Sequence, residues 1–84
     1  MPDVTDDEVK RNIAANVVRL RGERSRYDLA KSLEIAAIHL TRIERGEHTP
    51  GPGLLSRIAD EFGVTIDVLI LPPNAARKKI RQTA

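Results

Sequence analysis

The stretch RYDLAKSLEIAAIHLTRIER, Arg26 to Arg45, decides the fold of this 84-residue chain. Its apolar positions are Leu29, Ala30, Leu33, Ile35, Leu40 and Ile43. Leu29 and Leu33 lie one helical turn apart, and Leu40 and Ile43 repeat the arrangement, so each pair makes one face of a short helix. Ile35 falls at the corner between them, and Ala30 is small where two steeply crossing helices need close approach. Two short helices joined by a tight turn form a helix-turn-helix, whose second helix fits a DNA major groove.

Working outward, Thr5 followed by Glu8 reads as a capping box opening a first helix, predicted over about 6 to 23. Asp6, Asp7 and Glu8 lie near the positive end of its dipole. Val9, Ile13, Val17 and Leu20 mark one buried stripe along it. Ser25 with Asp28 reads as a second capping box, starting helix 2 at Arg26 and running to about Leu33. Helix 3 is expected from about Ala36 to Arg45, stopped by Gly46. The loop GEHTPGPG, Gly46 to Gly53, precedes a fourth helix carrying Leu54, Leu55, Ile58, Ala59 and Phe62 and ended by Gly63. Thr65 caps a fifth helix, roughly 66–70, bearing Ile66, Leu69 and Ile70, and Pro72 and Pro73 prevent its continuation. The expected organisation is a flexible acidic segment over 1–5, one all-α domain over 6–71, and a basic tail over 72–84.

The composition agrees with one small aliphatic core. Apolar residues make up 40% and charged residues 31%, and Tyr27 and Phe62 are the only aromatics besides the two histidines. The chain has no cysteine, which excludes a disulfide framework, a thiol nucleophile and a sulfur-ligated zinc site. It has no HExxH and no phosphate-cradling glycine loop leading into a helix, so no enzyme, metal or cofactor is expected. No apolar run approaches the roughly 20 residues that span a bilayer, and the acidic start is unlike a signal peptide, so the expected location is cytoplasmic. Net charge is +2, with acids at the start and Arg77, Lys78, Lys79 and Arg81 in the tail. A pI of 9.4 is compatible with a nucleic-acid partner without requiring one.

Taken with IAANVVRLR (Ile13 to Arg21), LTRIERG (Leu40 to Gly46) and IADEFGVTIDVLI (Ile58 to Ile70), the chain resembles the lambda-repressor/Cro-like (XRE-type) helix-turn-helix regulators of bacteria and phages. The likeness runs from about Ile13 to Ile70 and implies a five-helix, lambda-repressor-like DNA-binding domain. Two departures stand out. The Gly-Leu pair usual before helix 2 is missing, so either helix 1 ends early near Gly22 or the bend is tighter. Glu34 stands where relatives commonly place Gly to accept a positive φ; a non-Gly residue there costs about 1 kcal/mol, so the position is strained or the turn differs slightly.

A wheel at roughly 100° per residue turns Ala36, Leu40 and Ile43 to the core, and Ala37, Ile38, Thr41, Arg42 and Arg45 outward. The resemblance implies that this outward face enters the major groove. Arg42 has the forked donors that pair with guanine O6 and N7, discriminating by about 1–3 kcal/mol. Ala37 and Ile38 can read a thymine methyl, meet a protein partner, or be ordinary exposed apolar residues. His39 lies at the edge of the face. His48 and Thr49, in the following loop, are candidates for phosphate contact. Arg26, at the first position of helix 2, is implied to hold a phosphate through its backbone N–H and side chain. The resemblance implies that Arg21 and Glu44 form an ion pair that fixes the recognition helix to the scaffold.

The expected function is a sequence-specific double-stranded DNA-binding regulator, a small repressor acting as a homodimer on half-sites about one helical turn apart. Leu69, Ile70 and Leu71, with the tail, are candidates for the dimer patch, or else close the core under helix 1. The alternative is a protein-interaction module on the same scaffold, an antitoxin or antirepressor whose partner is a toxin or a repressor.

Overall fold

The computed structural model describes residues 5–73, so residues 1–4 of the acidic segment and 74–84 of the basic tail lie outside the description. Five helices follow one another: α1 (Asp6–Arg21), α2 (Arg26–Leu33), α3 (Ala37–Glu44), α4 (Pro52–Phe62) and α5 (Ile66–Ile70). The helix-turn-helix is α2 and α3. Helix α1 packs on α3 and α5, and α4 packs on α2 and α5.

The starts follow local chemistry. At α1 the Glu8 N–H donates to Thr5 Oγ1 at 3.1 Å and the Thr5 N–H to Glu8 Oε1 at 3.3 Å, a complete capping box. At α2 the Asp28 N–H donates to Ser25 Oγ at 3.0 Å. The first helix ends two residues short of the expected position, because Gly22 leaves helical geometry at φ 57°. That early end accounts for the short connection before α2.

Three helices close with one device. The N–H groups of Glu34 and Ile35 donate to the Lys31 and Ala30 carbonyls, those of Gly46 and Glu47 to Ile43 and Arg42, and those of Gly63 and Val64 to Asp60 and Ala59. These are Schellman motifs, which need a left-handed residue just past the helix. Glycine fills that position at Gly46 (φ 74°) and Gly63 (φ 66°), but α2 uses Glu34 at φ 61°.

One aliphatic core takes side chains from every helix: Ile13 and Val17 from α1, Leu29, Ala30 and Leu33 from α2, Leu40 and Ile43 from α3, Leu54, Ile58 and Ala59 from α4, and Leu69 from α5. Burying each large aliphatic side chain contributes about 1.5–3 kcal/mol. One expectation changes and one alternative closes. Ala36 is the exposed N-cap of α3 rather than a core residue. In α5, Ile66 is 38% exposed and Val68, at 4%, is buried. Leu69 is fully buried in the core, so it is unavailable to a dimer surface; only Ile70 and Leu71 of that trio keep partial exposure.

The α1–α5 seam holds a polar ladder that the apolar pattern does not show. Asn16 is fully buried, and its Nδ2 donates to the carbonyls of Leu69 and Leu71, both at 2.8 Å. Arg19 Nη2 donates to Asn16 Oδ1 at 3.2 Å, and Asn12 Nδ2 donates to the Ile70 carbonyl at 3.0 Å. A five-residue helix is too short to stand alone. Here α1 supplies the donors that the end of α5 lacks.

Two stability measurements test this account. Glu34→Gly is expected to stabilise the domain by up to about 1 kcal/mol, raising Tm by roughly 4–8 °C, since the exposed Glu34–Arg57 pair that it removes contributes little. Asn16→Ala is expected to lower urea-unfolding stability by about 2–3 kcal/mol, because two buried carbonyls lose their donor.

Candidate nucleic-acid interface

Helix α3 is set by Leu40 and Ile43, both fully buried, which leaves the opposite side to solvent. Ile38 is 59% exposed, Ala37 and Arg42 are exposed, and Thr41 is half-buried. No described residue therefore covers the centre of this face. Arg42 makes no ion pair among the described residues, so its guanidinium fork stays available. Thr41 Oγ1 donates to the Ala37 carbonyl at 3.1 Å, which uses its proton inside the helix and leaves an acceptor lone pair and a methyl outside. Arg45 is exposed and pairs with Glu47 at 3.2 Å. Between two such exposed groups the pairing is weak and competes poorly with a phosphate.

His39 and His48 come together. Their rings meet edge to face with centroids 4.6 Å apart and planes at 65°, which draws the loop after α3 back against the helix. His39 is half-buried, and His48 and Thr49 are exposed, with Pro50 buried behind them. At the front of α3, Ala36 has no side chain with which to cap the helix, so the first-turn N–H groups receive no side-chain acceptor from it.

Behind this face lies a buried carboxylate held by two arginines. The Glu44 side chain is 1% exposed. Arg21, at the end of α1, meets it bidentately, Nε to Oε2 at 2.7 Å and Nη2 to Oε1 at 3.1 Å. Arg21 Nη1 also donates to the Arg24 carbonyl at 2.7 Å. Arg26, at the start of α2, donates Nε to Glu44 Oε1 at 2.7 Å. The sequence pattern pointed to Arg21 and Glu44 but missed that Arg26 joins them. Its side chain is 50% exposed, and its terminal amines make no hydrogen bond among the described residues. One carboxylate between two guanidiniums leaves a net positive charge, carried at the surface by Arg26.

Sequence reasoning also passed over Tyr27. It is 68% exposed beside the front of α3 and lines an open hollow with Lys31, Ile35 and Ala37. A signal was present: the neighbours Leu29, Ala30 and Leu33 already complete the buried face of α2.

The two arginines should differ in what they contribute to folding. Arg21→Ala is expected to cost about 3 kcal/mol in urea unfolding, because it strips a buried carboxylate of its bidentate partner. Arg26→Ala, which leaves that pair intact, is expected to cost no more than about 1 kcal/mol.

Comparison with known proteins agrees with this geometry. A family model described as helix-turn-helix matches residues 18–69, more than half of the chain. No curated protein sequence matches. Among solved structures, the crystal structure of the hypothetical transcription factor NHTF from Neisseria is similar in fold, with a TM-score of 0.75 at 21% identity over 93% of each chain. Among the described residues no helix is long and apolar enough to cross a membrane. With α2 and α3 forming the motif and the matched span taking in the end of α1 and all of α2 to α4, the chain belongs to the XRE-type helix-turn-helix family of DNA-binding regulators.

Proposed function

We propose that the chain is a sequence-specific regulator of transcription, a repressor acting in the cytoplasm, that lays α3 in the major groove of duplex DNA. The observation that carries this reading is the bare outer side of α3, with Ile38 59% exposed and Arg42 unpaired among the described residues. Arg42 reads guanine, and Ala37 and Ile38 meet thymine methyls. Thr41 and His39 lie beside them. Arg26, Arg45, His48 and Thr49 touch phosphates, which position the protein without reading sequence. Held at Nε by Glu44, Arg26 offers its terminal amines to the backbone, with one donor already fixed.

Two copies bind half-sites about one helical turn apart. With Leu69 in the core, the apolar surface left on and after α5 for pairing is Ile66, Ile70 and Leu71. The exposed apolar residues Tyr27 and Ile38 favour one other reading, a module that docks on a toxin or a repressor. Recovery of an untagged partner from the native host, with no enriched DNA sequence, would select it.

Enrichment of duplexes from a random library tests the DNA reading and reports half-site spacing together with base preference. If affinity for the best enriched duplex equals that for random duplex, the reading is wrong. Arg42→Ala is expected to relax one position of the enriched site by about 1–3 kcal/mol. Arg26→Ala should weaken all sequences alike and reduce the slope of log K against log salt by about 1 per subunit.

A further inference from the structure

Tyr27 and Phe62 occupy opposite kinds of site in the fold. Phe62 packs against the core, whereas Tyr27 is 68% exposed. With Ala30, Lys31, Ile35, Ala36 and Ala37 it lines an open hollow of about 280 Å³ at the elbow between α2 and α3. Alanine and isoleucine side chains and the tyrosine ring make the hollow apolar, and Lys31 is the one cation among the lining residues. Ala37 belongs both to the hollow and to the outer face of α3, so the two surfaces are continuous.

An apolar recess with a cation at its rim suits one feature of a duplex. In the major groove a thymine presents its 5-methyl group as an apolar point, and the charged backbone runs alongside. The surrounding charge fits the same occupant. Arg26, Lys31 and Arg42 are exposed, Glu44 is buried between two arginines, and Glu34 faces Arg57 of α4 at 3.7 Å; Asp28 is the remaining exposed acid of α2. We propose that Tyr27 is a specificity-determining residue on α2: its ring and Ala37 enclose a thymine methyl while Lys31 meets the adjoining phosphate. This rests on the DNA-binding reading and extends the reading surface from one helix to two.

The test uses the full chain and the duplex enriched from a random library, with each dT replaced in turn by dU and affinity measured by fluorescence anisotropy. Uracil differs from thymine only by the methyl group. At one position dU is expected to weaken wild type about four-fold, the value of one methyl moved from water into apolar contact. That penalty should persist in Tyr27→Phe and Ile38→Ala and disappear in Tyr27→Ala. Lys31→Ala should lower the salt slope by about 1 per subunit. Because Tyr27 is outside the core, its variants should keep the wild-type thermal melt, which separates loss of reading from loss of fold. If a sequence is enriched but Tyr27→Ala retains every dU penalty of wild type, the proposal is overturned and DNA binding stands. If no sequence is enriched, both fall together.

Discussion

The Glu44 carboxylate is the point on which the arrangement of helices turns. It comes from the last residue of α3, and its two partners come from the last residue of α1 and the first of α2. Removing a carboxylate from water costs several kcal/mol, and only close, well-aligned donors offset that penalty. Arg21 supplies two and Arg26 a third, so every oxygen of the buried group is engaged. Such an assembly orients more than it stabilises, and orientation is what a recognition helix needs. Leu40 and Ile43 hold α3 down, while the ion triad sets its rotation and tilt against two neighbours at once. The same triad presents the Arg26 guanidinium at the surface in a defined pose, joining a surface cation to the helix whose position it shares.

A domain of this size has little core in reserve, and closure at the far side relies on polar groups. Asn12 and Asn16 give their amide hydrogens to three successive carbonyls at the end of α5. Fully satisfied polar groups of this kind specify one register, since sliding α5 by a residue would leave those carbonyls bare. The register places Leu69 in the core and leaves Ile66, Ile70 and Leu71 partly outside. Among the described residues these three are the apolar surface left on and after α5.

The outer face of α3 is less polar than its basic residues suggest. Thr41 directs its proton into its own helix, Arg45 is shared with Glu47, and His39 is packed on His48. What remains in front is Arg42 among Ala37, Ile38 and, from α2, Tyr27. A face with one forked donor in an apolar setting offers methyl-sized apolar contacts as much as hydrogen bonds.

Most of the fold is legible in the chain because its determinants are local. Heptad-like spacing of Leu and Ile, the Thr5 and Ser25 caps, and Gly46 and Gly63 past the helix ends act within a few residues of one another, and five helices follow from them. The left-handed position of Glu34 was signalled only by the resemblance, which places Gly there, and the structure decided it over a different turn. Ala36 was misplaced, and Leu69 stayed open between core and dimer patch, because periodicity gives a face but not what lies opposite it. The candidate site was legible as a set of residues on α3, through resemblance to a family, and less so as a geometry. The Arg26–Glu44 contact joins positions 18 apart in the chain, and the asparagine ladder joins positions 53 to 58 apart. Sequence by itself determined which residues form helices and which side of each is apolar, because those choices are made within a turn or two. Only the tertiary structure decided which charges meet and which amides cap a distant helix, because each depends on helices brought together by burying a common core.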